Sequence, residues 1–319
     1  MSQQHISVML DRCVAHLTPP IERAISAQRK PVIVDATLGL GGHTEALLNK
    51  FPELTVIGID RDEIALERAR KRLASFGDRF KSSHAVFDQV KEVVTEHGFT
   101  SITGALFDLG VSSIQLDESE RGFSYSQEAP LDMRMDRSHG ITAAEIVNTY
   151  APGKLVQILR AYGEEKFATR IVENIVKARE KAPLNSTTEL ATLVKESIPA
   201  ATRRTGGNPA KRTFQALRIE ANDELGAIAR ALPIALEILE VGGRIVVLSF
   251  QSLEDRIVKE IFVNLSTSKA PRNLPVDLPE FAPKFSLVVR SSETPDQGEL
   301  DANPRSASVR LRAIERVAS

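Results

Sequence analysis

VDATLGLGGHTEAL, residues 34–47, passes from β-branched and small apolar residues through three glycines in four positions, Gly39, Gly41 and Gly42, into residues that favour helix. A strand that runs through a glycine turn into a helix opens a βαβ unit, and the flanking pattern agrees. Residues 31–37 and 55–60 read as short buried strands with a helix over 43–50 between them. Over 62–75, Ile64, Ala65, Leu66 and Ala69 gather on one side of a charged surface helix. A weaker strand over 80–85, a helix over 88–97 and a strong strand over 102–109 continue the alternation. The expected class is α/β, a parallel sheet with helices on both faces.

Around residue 116 the rhythm breaks. Residues 117–212 show almost only helical periodicity, as in 143–148, 154–162 and 164–180. A single long amphipathic helix is then expected over 219–241, its stripe formed by Leu225, Ile228, Leu232, Leu236 and Leu239, with Gly242-Gly243 leading into the strand RIVVLSF. The resulting division is one discontinuous α/β domain, 1–116 and 213–319, interrupted by an all-helical insertion, 117–212. Prolines at 271, 275, 279, 283, 295 and 304 argue for an irregular or mobile excursion. SLVV and SVRLRAIER, which flank its later part, are expected to pair antiparallel at the sheet edge.

The 319 residues carry 41 basic and 42 acidic side chains, a net charge of -1, which excludes a globally basic nucleic-acid binder but not a local basic patch. Cys13 is the sole cysteine, so no internal disulfide can form and neither a zinc ribbon nor an iron–sulfur site can be built from thiolates. Without a membrane-length apolar run or a signal-peptide layout at the N-terminus, a cytoplasmic location is expected.

Glycines after a first strand let backbone approach a ligand. Three readings of the turn compete: no ligand, a dinucleotide, or S-adenosyl-L-methionine. The dinucleotide fingerprint wants Gly or Ala where Thr44 stands. Asp60 ends the second strand, where a carboxylate accepts ribose hydroxyls, and suits either nucleotide ligand. Asp35, just before the turn, favours a sulfonium and an ammonium over a pyrophosphate. Phe87-Asp88 follows the third strand, where a ring and a carboxylate suit an adenine with its amine, and Asp108 ends the fourth between apolar neighbours and a glycine.

Residues 112–136 hold many turn residues together with Phe123, Tyr125, Met133 and Met135, and read as a lid or substrate loop. Between Glu196 and Glu220 there is no acidic residue, while Arg203, Arg204, Lys211, Arg212 and Arg218 are all positive, as a phosphate-rich partner would want. Phe123, Tyr125 and Phe214 are the candidate base-stacking rings. In SFQSLEDRIVK, Ser252 reads as a helix N-cap, with Ser249 and Gln251 at the strand's end.

DATLGLGGHT, GIDRD, FDLGVSSIQLD, ERGFSY, PLDMRMD, YGEEKFATRI, RTFQALRI and SFQSLEDRIVK, in this order along nearly the whole chain, closely resemble the bacterial ribosomal small-subunit methyltransferase H family, formerly MraW. The resemblance implies a Rossmann-like class I methyltransferase sheet. It also implies methyl transfer from S-adenosyl-L-methionine to the exocyclic amine of one cytidine in the decoding centre of 16S rRNA. Its cofactor contacts fall on Gly41, Gly42, His43, Asp60, Phe87, Asp108 and Gln115; His43 and Gln115 come from the resemblance alone. Where the family often reads SFHSLEDR, this chain has Gln251, and an amide cannot take a proton at neutral pH. The competing functions are a non-catalytic RNA-binding assembly factor and, third, a nicotinamide oxidoreductase.

Overall fold

The structure is a computed structural model that describes residues 7–112, 115, 118–200, 208–270 and 281–319. The chain forms two compact units, Met1–Gly110 with Leu225–Ser319, and Val111–Glu224.

The first unit is built on a seven-stranded sheet. Its strands are β1 (Val32–Asp35), β2 (Thr55–Asp60), β3 (Phe80–His84), β4 (Ile102–Asp108), β5 (Leu239–Ser249), β6 (Phe285–Leu287) and β7 (Arg310–Arg316). The order is β3-β2-β1-β4-β5-β7-β6. Pairing is parallel from β3 through β5, and β7 runs antiparallel to both β5 and β6. Alternate residues feed opposite faces, as a pleat requires. Val34, Ala105, Phe107, Ile245 and Val247 enter one core, with Val258 and Phe262 of a covering helix; Ile33, Leu106, Val246 and Leu248 enter the other, with Leu17, Ile21, Leu47 and Leu48.

The covering helices are α1 (Leu10–Ser26), α2 (Gly42–Lys50), α3 (Glu63–Leu73) and α4 (Val90–Glu96). Helix α1 was not anticipated because Pro19 and Pro20 sit inside it. Pro20 has no N–H for the carbonyl of His16 four residues earlier, and Arg244 on β5 donates to that carbonyl instead, at 3.1 Å.

The second unit contains α5 (Ala143–Thr149), α6 (Pro152–Gly163), α7 (Ala168–Arg179), α8 (Thr187–Ser197) and α9 (Lys211–Asn222). They share one core that includes Ile146, Leu155, Ile158, Ile171, Leu190 and Leu217. The observed unit is wider than the expected 117–212 insertion, because α9 sends Phe214, Ala216 and Leu217 into that helical core.

The expected helix over 219–241 is instead three pieces. Asp223 adopts a left-handed conformation (φ 47°) after α9, α10 (Glu224–Glu237) follows, and β5 already begins at Leu239. Gly242 (φ 82°) lies inside the strand, near the irregular register between Ile102 and Gly104 of β4. Two further α-helices, α11 (Ser252–Ser266) and α12 (Gln297–Ala302), follow β5 among the described residues. The proline-rich stretch therefore holds β6 and α12 among its described residues, not irregular chain throughout. No helix among the described residues is long and apolar enough to cross a membrane.

Candidate functional site

The strands β1, β2 and β4 end together at the carboxyl rim of the parallel sheet, and each ends on an aspartate. Asp35 and Asp60 close β1 and β2, and Asp108 closes β4. The turn after β1 is threaded between them. Gly39 is left-handed (φ 51°), its N–H donates to Asp60 Oδ2 at 2.7 Å, and a Cβ there would meet nothing nearer than a carbonyl at 4.0 Å. Gly41 (φ 75°) has a different reason for bareness: a Cβ would stand 2.7 Å from Leu73 of α3. At Gly42 a Cβ would run into the Ser7 hydroxyl. Of the three glycines, Gly39 is the one that presents open backbone.

The carboxylates are short of donors. Asp60 accepts from Gly39 and, through Oδ1, from the Asp62 N–H at 2.9 Å. Asp35 is 2% exposed; its Oδ2 accepts from the Thr44 hydroxyl at 2.7 Å, and its buried Oδ1 has no partner among the described residues. Thr44, which counts against a dinucleotide, thus serves to orient Asp35. The backbone N–H of Asp108 donates to Thr37 Oγ1 at 2.6 Å, while its Oδ1 is buried with no partner among the described residues. Burial pushes Asp35 and Asp60 up to about 6. It pushes Asp108 further, to about 8, helped by the charges of Asp35 and Glu254.

His43 connects this rim to the N-terminal segment. Its Nε2 lies 3.0 Å from the Val8 carbonyl, which can only accept, so that nitrogen carries the proton and Nδ1 faces Asp108 Oδ2 at 3.9 Å. Neither Val8 nor Thr37 was singled out from the sequence, since both contribute through a backbone carbonyl or a short hydroxyl that no pattern marks.

Phe87 stands edge-on to Phe107 at 5.8 Å, with the Arg61 guanidinium 5.8 Å from its centroid. Beside it, the Oδ2 of Asp88 is held by Arg230 at 2.8–2.9 Å. At the end of β5, Ser249 is buried with no partner for its hydroxyl among the described residues. The N-cap of α11 is Gln251 rather than Ser252, because Glu254 receives the N–H groups of Phe250 and Gln251 at 2.8 and 3.2 Å and pulls the chain into the helix one residue earlier.

The remaining candidates lie in the second unit. Gln115 is buried, and its Oε1 accepts from the Ser112 N–H at 3.1 Å. Residues 118–136 do not form the expected lid. Phe123, Met133 and Met135 are core residues; Asn222 binds the Met135 N–H and the Met133 carbonyl, and Arg121 donates to the Met135 carbonyl at 2.8 Å. Phe123 and Phe214 are correspondingly buried, and Tyr125 packs edge-on against Phe214 at 5.7 Å, so these rings are core partners and not free stacking platforms. Lys211 and Arg212 are exposed, with Arg212 donating to the Glu164 carbonyl at 2.7 Å. Arg218 leaves the expected basic surface: its guanidinium forks onto Glu224 at 2.7 and 2.8 Å. Arg203 and Arg204 lie outside the described residues.

The pattern of the MraW methylase family matches residues 2–317. The chain belongs to the MraW methylase family. It is 53% identical over 98% of its length to the ribosomal RNA small subunit methyltransferase H of Renibacterium salmoninarum, of which the match covers 95%. The protein of the same name from Thermobifida fusca is 55% identical, over 98% of this chain and 93% of that one. Among solved structures, an rRNA methylase from Streptococcus thermophilus aligns over 99% of both chains at 13% identity and a TM-score of 0.41, too distant a likeness to speak for chemistry.

Membership of a methylase family makes S-adenosylmethionine the cofactor, and the residues at the rim fit it. The ligand carries a sulfonium and an ammonium. The rim offers three aspartates whose ionised forms are costly without a cation nearby, two carboxylate oxygens lacking a donor among the described residues, and one stretch of bare backbone at Gly39.

Proposed function

We propose that this chain methylates the exocyclic N4 amine of a cytidine in the decoding centre of 16S rRNA, acting in the cytoplasm on 16S rRNA or on the small ribosomal subunit. The observation that carries the reading is the cluster of Asp35, Asp60 and Asp108 at the sheet's carboxyl rim, in a chain more than half identical to proteins named ribosomal RNA small subunit methyltransferase H. The choice of N4 and of the decoding centre follows the motif resemblance.

When bound, S-adenosylmethionine supplies an electrophilic methyl on a positively charged sulfur. Asp35, Asp60, Phe87, Asp108 and the open backbone at Gly39 would hold it, and the motif resemblance adds Gly41, Gly42, His43 and Gln115 as further contacts. The amine of cytosine is a weak nucleophile because its lone pair is delocalised into the ring, so the protein must orient it and accept its hydrogens. Asp108 is the acceptor proposed here: beside a cation its carboxyl ionises, and an ionised carboxylate only accepts. The helical unit presents the RNA, with Lys211 and Arg212, together with Arg203 and Arg204, facing phosphates. A base paired in the subunit is splayed out to reach the rim.

The test is transfer of tritiated methyl to small subunits from cells lacking the protein, with mass mapping of the modified nucleotide. Label on one cytidine N4, lost with Asp108→Asn, is the expected result. Cofactor binding without any transfer would favour the non-catalytic assembly factor.

A further inference from the structure

The end of β5 carries polar atoms that the cofactor reading does not use. Gln251 donates through Nε2 to Glu254 Oε1 at 2.9 Å. Glu254, only 1% exposed, is itself fixed by the N–H groups of Phe250 and Gln251. A carboxylate takes only donors, so this bond sets which end of the amide faces the Glu254 carboxylate and leaves Oε1 at the other end, on the side of the Glu254 backbone N–H in the capping box. That oxygen is buried and has no hydrogen-bond partner among the described residues, and the same holds for Ser249 Oγ two positions earlier. Asp108 ends the neighbouring strand in register with Leu248, its Oδ1 likewise without a partner among the described residues, and it feels the charge of Glu254. Adjacent strand ends thus carry the Gln251 amide oxygen, a hydroxyl, and the Asp108 carboxyl, which only accepts once it is ionised beside the cofactor's cation. Buried acceptors of this kind are costly until a ligand supplies the hydrogens.

We propose that Gln251 selects the acceptor base: its Oε1 takes one hydrogen of an exocyclic amine while Asp108 Oδ1 takes the other, so an amino pyrimidine is admitted and an oxo pyrimidine refused. The inference rests on the N4-amine reading above. Cytosine offers two N–H donors at this edge. Uracil offers a carbonyl, which would confront two acceptors and gain nothing. Ser249, able to donate or accept, adapts to whichever lone pair or hydrogen remains. Gln251 forms or breaks no bond in this scheme; it touches the substrate and sets specificity.

The test compares wild type, Gln251→Met and Gln251→His on small subunits. Calorimetry with S-adenosylhomocysteine serves as a control, and subunits carrying uridine at the mapped nucleotide serve as competitor. Met removes the acceptor; kcat/KM is expected to fall about tenfold or more, and the preference for the cytidine subunit as binding partner over the uridine competitor to shrink similarly, with S-adenosylhomocysteine affinity unchanged. His can give an N–H to Glu254 and present a lone pair outward, so it is expected to restore kcat/KM to within about threefold of wild type. Gln251→Met with kcat/KM within twofold and discrimination intact overturns the proposal, as does an equal loss of S-adenosylhomocysteine affinity. If mass mapping finds the wild-type methyl elsewhere than on a cytosine N4, the parent reading falls first, and this one with it.

Discussion

Asp108 makes the apo protein's stability depend on pH in a direction opposite to that of an ordinary ion-paired aspartate. Its folded-state value, about 8, lies above the ordinary 3.8, so the folded chain retains a proton that the unfolded chain releases between about pH 4 and pH 8. Stability therefore falls as pH rises through that window, and the loss is complete above it. At about 1.4 kcal/mol per pH unit the interval caps the cost at roughly 6 kcal/mol. With the side chain 25% exposed, solvent relieves much of this, and about 2 kcal/mol is the cost expected to remain. Asp108→Asn keeps the shape and removes the ionisation. Relative to wild type, the variant should gain about 2 kcal/mol between pH 4.5 and pH 9, seen as a melting temperature advantage widening by about 6 °C. Asp35 and Asp60 are present in both proteins, so their own pH dependence largely cancels from the difference. Thermal unfolding without cofactor across that range measures it. A difference between the two proteins that stays constant from pH 4.5 to pH 9 would refute the claim that Asp108 is held protonated in the apo fold.

Other expectations follow from the same geometry. Binding of cationic S-adenosylmethionine should release a proton at any pH where Asp108 is still protonated in the apo protein, read from calorimetric enthalpies in buffers of different ionisation heat across the pH range, and Asp108→Asn should bring the release close to zero throughout. Gly163→Ala would place a Cβ 2.5 Å from the Arg212 carbonyl, so the helical unit should lose about 1–3 kcal/mol in denaturant unfolding. Arg218→Met strands Glu224, which is 6% exposed, and should cost about 3 kcal/mol; adding Glu224→Leu should recover most of that in a melting assay, whereas an RNA-contacting Arg218 would show no such rescue of stability. The double variant Lys211→Ala, Arg212→Ala should flatten the logarithmic salt dependence of RNA binding by about 1.4 and leave cofactor affinity alone; an unchanged slope would make these residues ordinary surface.

The alternation of buried strands and amphipathic helices was legible in sequence because both periodicities are local, and β2 is found over the residues expected, Thr55–Asp60. Helix α1 was not, although Cys13, Leu17, Ile21 and Ala24 form a helical stripe, since two prolines argue against a helix and the donor that rescues the freed carbonyl, Arg244, lies far along the chain. The break at Asp223 depends on one residue taking a left-handed conformation, which the apolar stripe through Leu225 and Ile228 does not report. Phe123, Met133 and Met135 carry a core signal, but their spacing matches neither helix nor strand, so they read as a loop until the helices they pack on are known. At the rim, Asp35, Asp60 and Asp108 stand out by position at strand ends. Which of their oxygens lack a donor, and the fixed orientation of Gln251, are properties of the assembled fold.

The strand order has a consequence for biosynthesis. Because β7 pairs with β5 on one side and β6 on the other, the sheet cannot be completed until residues 310–316 have been translated, and β5 must leave one edge open while the intervening residues emerge. The segment 111–224 carries its own core and needs none of those later residues to close it. The nascent chain can thus pair β3, β2, β1 and β4 as they emerge and close its middle next, while β4, which bears Asp108, waits on its other edge for β5, made long after it.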